Sequence, residues 1–135
     1  YAIILFNEAG VPCVFWGDLL GSPESDDLPA VRELPVLMSI RARAAVGPQH
    51  NAFDHPDVVG FAREGKEEIP GSGCAVILSD RMAAEKTLYV GTRHAGQEWE
   101  CTIGGHPSVR VADDGTLTGV VSDGGLSVYV PRGNA

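Results

Sequence analysis

Basic residues are few in this chain. Ten Lys and Arg stand against 18 Asp and Glu, a formal charge of −8 at pH 7, and the ten are scattered. Nucleic-acid binding needs a basic patch to meet phosphates, and adsorption to an anionic bilayer needs the same, so neither partner class fits. Long hydrophobic runs are missing too. Residues 3–6 and 11–16 are the best candidates, and Glu8, Gly10 and Pro12 interrupt them, far short of the ~20 apolar residues of a membrane helix. No signal-peptide pattern is visible. Cysteine is sparse and odd in number: Cys13, Cys74 and Cys101 lie far apart, with no Cys-x-x-Cys pair and no Cys/His spacing for a metal. Their apolar surroundings predict buried free thiols. With no Asn-x-Ser/Thr sequon either, this points to a reducing, cytoplasmic setting. Repeats and low-complexity linkers are absent. The chain opens on Tyr1, and residues 1–6 already read as the middle of an element. Chain ends are usually exposed and polar, so the polypeptide is expected to continue upstream.

What is present divides into two patterns. Residues 1–46 read helix, strand, helix. The first helix ends before Gly10. Residues 11–16 form a short apolar run that suits a strand buried on both faces, as in a parallel sheet. After a polar loop at 21–27, Pro29 can occupy the first turn of a helix with Asp27 as its cap. Val31, Leu34, Leu37, Met38 and Ile40 then recur at helical spacing, and Pro35 within them predicts a kink. From about residue 49 the period becomes two. Eight strand-sized runs follow, at 49–53, 58–63, 74–79, 87–91, 98–103, 108–111, 117–121 and 126–130. Turn pairs such as Pro70-Gly71, Gly104-Gly105 and Asp114-Gly115 separate them. This is the pattern of an antiparallel sandwich or barrel. With no linker between the halves, they are expected to pack on each other.

A helix–strand–helix piece cannot stand alone, because one parallel strand leaves backbone groups unpaired and apolar faces uncovered. It requires a larger α/β body.

The residues that carry a resemblance are these. Gly10-Val-Pro-Cys-Val-Phe-Trp-Gly-Asp18 resembles the last barrel strand of the α-amylase family, Gly-x-Pro-x-Val-Phe-Tyr-Gly-Asp. Leu37-Met-Ser-Ile-Arg-Ala-Arg43, Gly47-Pro-Gln-His50, Phe53-Asp-His-Pro-Asp57 and Val59-Gly-Phe-Ala-Arg-Glu-Gly65 resemble the run into domain C of liquefying-type members. Gly124-Gly-Leu-Ser-Val-Tyr-Val130 is similar to the family's closing strand. The stretch 67–74 and Glu85-Lys86-Thr87 look more like the intracellular branch. Trp16 and Leu20 stand where Tyr is usual, which alters the barrel mouth.

The resemblance implies an α/β barrel fragment over 1–47, closing a (β/α)8 barrel, and an antiparallel Greek-key sandwich, domain C, over 48–135. It implies a monomeric enzyme that hydrolyses internal α-1,4-glucosidic bonds of starch or glycogen with retention, using two carboxyls about 5 Å apart. In the family these carboxylates follow earlier strands, so no residue here inherits a catalytic role. Asp18, with Glu24 considered beside it, sits where barrel active sites gather. The commoner use of such an Asp is to cap the turn off the strand. Trp16 is set either to stack on glucose or to pack in the core. Family members of this type can hold calcium between barrel and sandwich, and by motif position the donors are the Pro56 carbonyl and the Asp57 and Asp80 carboxylates, in a cluster with Asp54 and His55. Calcium takes six to eight oxygens, so other ligands would come from upstream. The alternative use of these acids is turn capping. Phe53 and Phe61 are expected to seal the sandwich against the barrel flank. Glu64, Glu67, Glu68, Asp113 and Asp114 read as solvated. A different function, an independent starch-binding module, would need Tyr89, Trp99 and Tyr129 on its surface.

Overall fold

The computed structural model describes residues 1–21 and 29–132. Three short helices come first: α1 (Ala2–Phe6), α2 (Trp16–Leu20) and α3 (Leu34–Ala44). Eight strands follow: β1 (Gln49–Ala52), β2 (Val58–Arg63), β3 (Cys74–Ser79), β4 (Ala84–Tyr89), β5 (Glu98–Ile103), β6 (Val109–Arg110), β7 (Thr116–Val121) and β8 (Leu126–Pro131). Each of the eight expected runs holds a strand, three of them with the same bounds. Every pairing is antiparallel. One sheet has six strands in the order β1-β2-β3-β8-β5-β6, the other two, β4-β7. The chain crosses between sheets at β3–β4, β4–β5, β6–β7 and β7–β8, which places the last strand between β3 and β5.

Helices, large sheet and small sheet make three layers, so the central strands are buried on both faces. Alternate residues of β2, β3 and β8 point opposite ways. Phe61, Cys74, Val76, Val128 and Val130 pack against Leu5, Phe6, Leu34, Leu37 and Ile40 of the helices. Ala62, Ala75, Ile77 and Tyr129 pack against Leu88, Leu117 and Val121 of the small sheet. The two halves therefore share one apolar layer, as expected. Phe61 is buried in it, but Phe53 is 57% exposed and seals nothing within this chain. On the small sheet, the Tyr129 hydroxyl takes the Val120 N–H (2.9 Å) and donates to the Val120 carbonyl (3.2 Å). Gly119 leaves room for that ring, since a Cβ there would lie 2.7 Å from both Ile77 Cδ1 and Tyr129 Cε2.

The first half departs from expectation. Residues 11–15 are not a strand, and Val11 (94%) and Phe15 (65%) are exposed. A parallel strand exists only through hydrogen bonds to neighbours on its edges, and among the described residues none lies beside it. The barrel fragment is thus not reproduced as a β/α unit in this chain, while the sandwich is. Pro35 does not kink α3. It stands in the first turn, where the missing N–H is not needed. Leu34, Leu37, Ile40 and Ala44 make the buried stripe of α3, and Arg41 and Arg43 lie in its last turn, favourable to the carbonyl end of the helix. Pro29 precedes that helix without belonging to it. The expected cap Asp27 lies outside the described residues, as does Glu24.

Buried thiols are confirmed only in part. Cys74 is buried, Cys101 partly so, and Cys13 is exposed. Burial pushes the Cys74 thiol up to about 12, with Arg63 opposing weakly. In the folded chain, Ellman's reagent at pH 8 should label Cys13 first and Cys74 only after denaturant is added. The thiol keeps its proton when folded and loses it near 9 when unfolded, so its contribution to stability is full below pH 9 and fades as pH rises towards 12. The denaturation midpoint of Cys74→Ala should therefore fall less steeply across that window than that of the unsubstituted chain.

Candidate functional site

Two places collect the expected site residues. The first is the turn from residue 11 into α2. With no strand to bury it, Trp16 begins α2 and is 70% exposed, which overturns a core role within this chain. Beside it Phe15 and Leu20 are also exposed. Asp18 lies in the first turn of α2, yet its side chain caps no backbone group of that helix. Its carboxylate instead accepts the Tyr1 hydroxyl, and that bond is the main reason the Tyr1 phenol is raised above its ordinary value. The Tyr1 oxygen also takes the Phe15 N–H at 3.2 Å, and the Asp18 carbonyl accepts the Val31 N–H at 2.6 Å. Asp18 thus ties the chain start to the helical turn, while the Trp16 side chain stays largely exposed. One carboxylate so engaged cannot hydrolyse a glycoside, which takes two.

The second place is the end of the β2–β3 ladder. Val58 pairs with Ser79, so Asp57 and Asp80 face each other one step beyond it. The Asp80 N–H donates to the Asp57 carbonyl at 2.9 Å, and His55 Nδ1 accepts the Asp57 N–H at 3.1 Å. Asp80 is exposed and its carboxylate meets Arg81 at 3.4 Å. Pro56 is exposed in the same turn. The fold brings Pro56, Asp57 and Asp80 to one corner. Even with both oxygens of each carboxylate they fall short of the six to eight oxygens calcium takes, and no group of three acidic, His or Cys side chains converges among the described residues. Among the described residues these three donors do not complete a calcium shell.

The same turn contains a pair that the sequence reading missed. Lys86, only 9% exposed, points inward from β4 and its ammonium binds the Asp54 carboxylate and, at 3.2 Å, the Val58 carbonyl. This bond to Lys86 holds the Asp54 carboxyl below its usual range. The signal was available, because Lys86 shares strand parity with Leu88 and Val90, both buried. Asp54→Ala leaves a buried ammonium without its counterion and should lower the melting temperature clearly. Lys86→Met removes the charge and keeps the stem, so it should cost less, or nothing. Equal losses from both would show that the pair contributes as an attraction and not through the burial of Lys86.

The two latches that hold α1, one to α3 and one to the sheet, are also absent from the sequence reading. Arg41 of α3 donates to the Leu5 carbonyl. Arg63 of β2 is 7% exposed and donates to the Phe6 carbonyl (2.9 Å) and the Gly47 carbonyl (2.8 Å). Both guanidinium groups thus satisfy the orphan carbonyls at the end of α1.

No protein-family model matches the chain. Curated relatives do. An α-amylase of Geobacillus stearothermophilus is 39% identical over 134 residues, covering 98% of this chain and 24% of its own length. A cytoplasmic α-amylase of Escherichia coli is 36% identical over 141 residues, covering 96% of this chain and 28% of its own. The chain belongs to the α-amylase family. It spans about a quarter of the length of the curated relatives it matches, and the aligned stretch lies in their C-terminal part. Among solved structures, an α-amylase from Malbranchea cinnamomea superposes with a TM-score of 0.54 at 14% identity, over 79% of this chain and 23% of that one. At that identity the likeness speaks for the fold, and it agrees with a sandwich of the domain C kind. Among the described residues no helix is long and apolar enough to cross a membrane.

Proposed function

We propose that this chain is the part of an α-1,4-glucan hydrolase that closes the catalytic barrel with residues 1–47 and buttresses it with a sandwich from residue 48 on. The parent enzyme cuts internal bonds of starch or glycogen with retention, acts as a monomer in the cytoplasm, and draws its catalytic carboxylates from outside this chain. The observation that carries the reading is the apolar flank left uncovered in and between α1 and α2: Ile3 (50%), Ile4 (45%), Val11 (94%), Phe15 (65%), Trp16 (70%) and Leu20 (58%) are exposed. Six large apolar side chains exposed within the first 20 residues suit a segment that another body covers, and the relatives' chains are about four times as long as the matched stretch. Trp16 and Asp18 lie on that flank, and we assign them to the edge of the glucan cleft, Trp16 by stacking and Asp18 by accepting a sugar hydroxyl in place of Tyr1. Calcium at Pro56, Asp57 and Asp80 enters this reading only with further oxygens from the parent. The binding-module alternative loses its residues, since Trp99 and Tyr129 are fully buried and Tyr89 is 38% exposed with its ring edge against His50.

The test is direct. The parent polypeptide should hydrolyse starch, the 135-residue chain alone should not and should aggregate through its apolar flank, and removing residues 50–132 should lower the parent's melting temperature or its solubility. Starch hydrolysis by the isolated chain, or an unchanged melting curve on deletion, would refute the assignment.

A further inference from the structure

An edge strand leaves a row of backbone N–H and C=O groups open to another chain, and proteins guard such edges with charge, proline or short length. The two edges of the six-stranded sheet are β1 and β6. β6 has two residues, one of them the exposed Arg110, and so carries its guard within itself. β1 is longer, and its residues Gln49, His50, Asn51 and Ala52 include no Lys, Arg, acid or proline. Its outer side follows from the register. The Glu64 N–H donates to the Pro48 carbonyl at 3.0 Å, and Gln49 pairs with Arg63. Bonded residues alternate along an antiparallel ladder. His50 and Ala52 therefore bond to β2, while Gln49 and Asn51 turn their backbone groups outward.

Glu8 meets that open side. The Gln49 N–H donates to the Glu8 carboxylate at 3.2 Å, and the Glu8 N–H donates to the Gln49 side-chain oxygen at 2.7 Å. Gln49 Nε2 in turn donates to Asn51 Oδ1 at 2.7 Å. These bonds lie at the surface, where two side chains must give up rotamer freedom to meet. The buried Arg63 prepares the meeting. Its guanidinium donates to the Phe6 and Gly47 carbonyls, each two residues before a member of the pair, so Glu8 and Gln49 are already side by side. The charge missing from β1 is thus supplied by a segment 41 residues earlier in the chain.

We propose that Glu8 guards the β1 edge, and that this edge, once Glu8 is withdrawn, pairs with β1 of a second copy of this chain. The strand is self-complementary for that contact. A two-fold axis at His50 sets Gln49 of one copy against Asn51 of the other. These are the residues whose N–H and C=O groups face outward, so each such pair exchanges both of its bonds. The side-chain amides of Gln49 and Asn51 share a face, and each is both donor and acceptor. So short a ladder binds weakly, and the association depends on concentration. The inference uses only the edge and its guard and stands apart from the glucan reading.

The test uses the intact parent polypeptide, read by sedimentation equilibrium and by hydrogen exchange at single amides. In the unsubstituted protein Gln49 should exchange more slowly than Asn51. Glu8→Ala should raise the mean mass towards that of a dimer as concentration increases, and should slow exchange at Asn51. Glu8→Gln should stay monomeric, because its side-chain oxygen still accepts the Gln49 N–H. Asn51→Pro added to Glu8→Ala should restore the monomer, since proline removes an outward N–H and no bond to β2. A monomer at every concentration for Glu8→Ala overturns the inference, and so does association that Asn51→Pro leaves unaltered. Unfolding by Glu8→Ala overturns it too, because a guard on an exposed edge does not hold up the fold. Protection of Asn51 equal to that of His50 in the unsubstituted protein shows the edge already covered, and the inference falls. None of these outcomes bears on starch hydrolysis by the parent.

Discussion

Phe61→Ala, made in the parent polypeptide, should lower stability by about 3–5 kcal/mol, the usual cost of emptying a fully buried aromatic site. Phe61 is 1% exposed and lies where the large sheet meets the helices, in one cluster with Leu5, Phe6, Leu34 and Ile40. Strands cannot close in on the gap, because Phe61 belongs to a ladder fixed on both sides by β1 and β3. The urea midpoint should drop while the slope stays the same. Phe53→Ala is the control: at 57% exposure it should shift stability by no more than about 0.5 kcal/mol if nothing covers it, and by clearly more if the parent's barrel does. A loss below about 1 kcal/mol for Phe61→Ala would mean that the helices do not bear on the sheet as described.

Arg63→Met should cost about 2–4 kcal/mol, because it leaves one buried and one part-buried carbonyl unpaired while keeping an apolar stem of similar length. The guanidinium is the only described side-chain partner of the Phe6 and Gly47 carbonyls, and no water replaces it readily at a position 7% exposed. The effect should be local as well as global. Amides of α1 should exchange faster than those of β3 and β8 in Arg63→Met, since α1 loses its latch while the sheet keeps its ladders. Arg63→Lys should recover little, because one ammonium on a flexible stem does not reproduce a fork that meets two carbonyls at once. Uniform acceleration across the sandwich would show instead that Arg63 supports the sheet and not the docking of the helix.

Legibility in the sequence followed the range of the interaction involved. The strands at 58–63, 74–79 and 98–103 were readable to the residue, because a period of two and a turn pair are properties of neighbours in the chain. Pro35 was misread for a related reason: the apolar spacing from Val31 onward suggested that the helix had already begun, but it starts at Leu34, and a proline that would break an interior turn is at home in the first one. Residues 11–15 failed differently. Their composition suits a buried strand, but strand structure belongs to a pair, and no partner is present among the described residues. The same limit hid the functional groups. Lys86 could have been flagged by parity, whereas Arg63 and Glu8 gave no local sign of what they hold. Asp57 and Asp80 were matched by resemblance, and it is the Val58–Ser79 register that puts them at one corner.

By itself the sequence determined the family and the eight strands with their turns, since these rest on spacing and ordered short motifs. Only the tertiary structure decided that the central sheet is covered on both faces, that Trp16 is exposed and Trp99 buried, that Asp18 is held by Tyr1, and that Glu8 meets Gln49 at the sheet edge. Those outcomes depend on which distant residues become neighbours, and neighbours are set by strand order and layer packing, which a linear pattern leaves open.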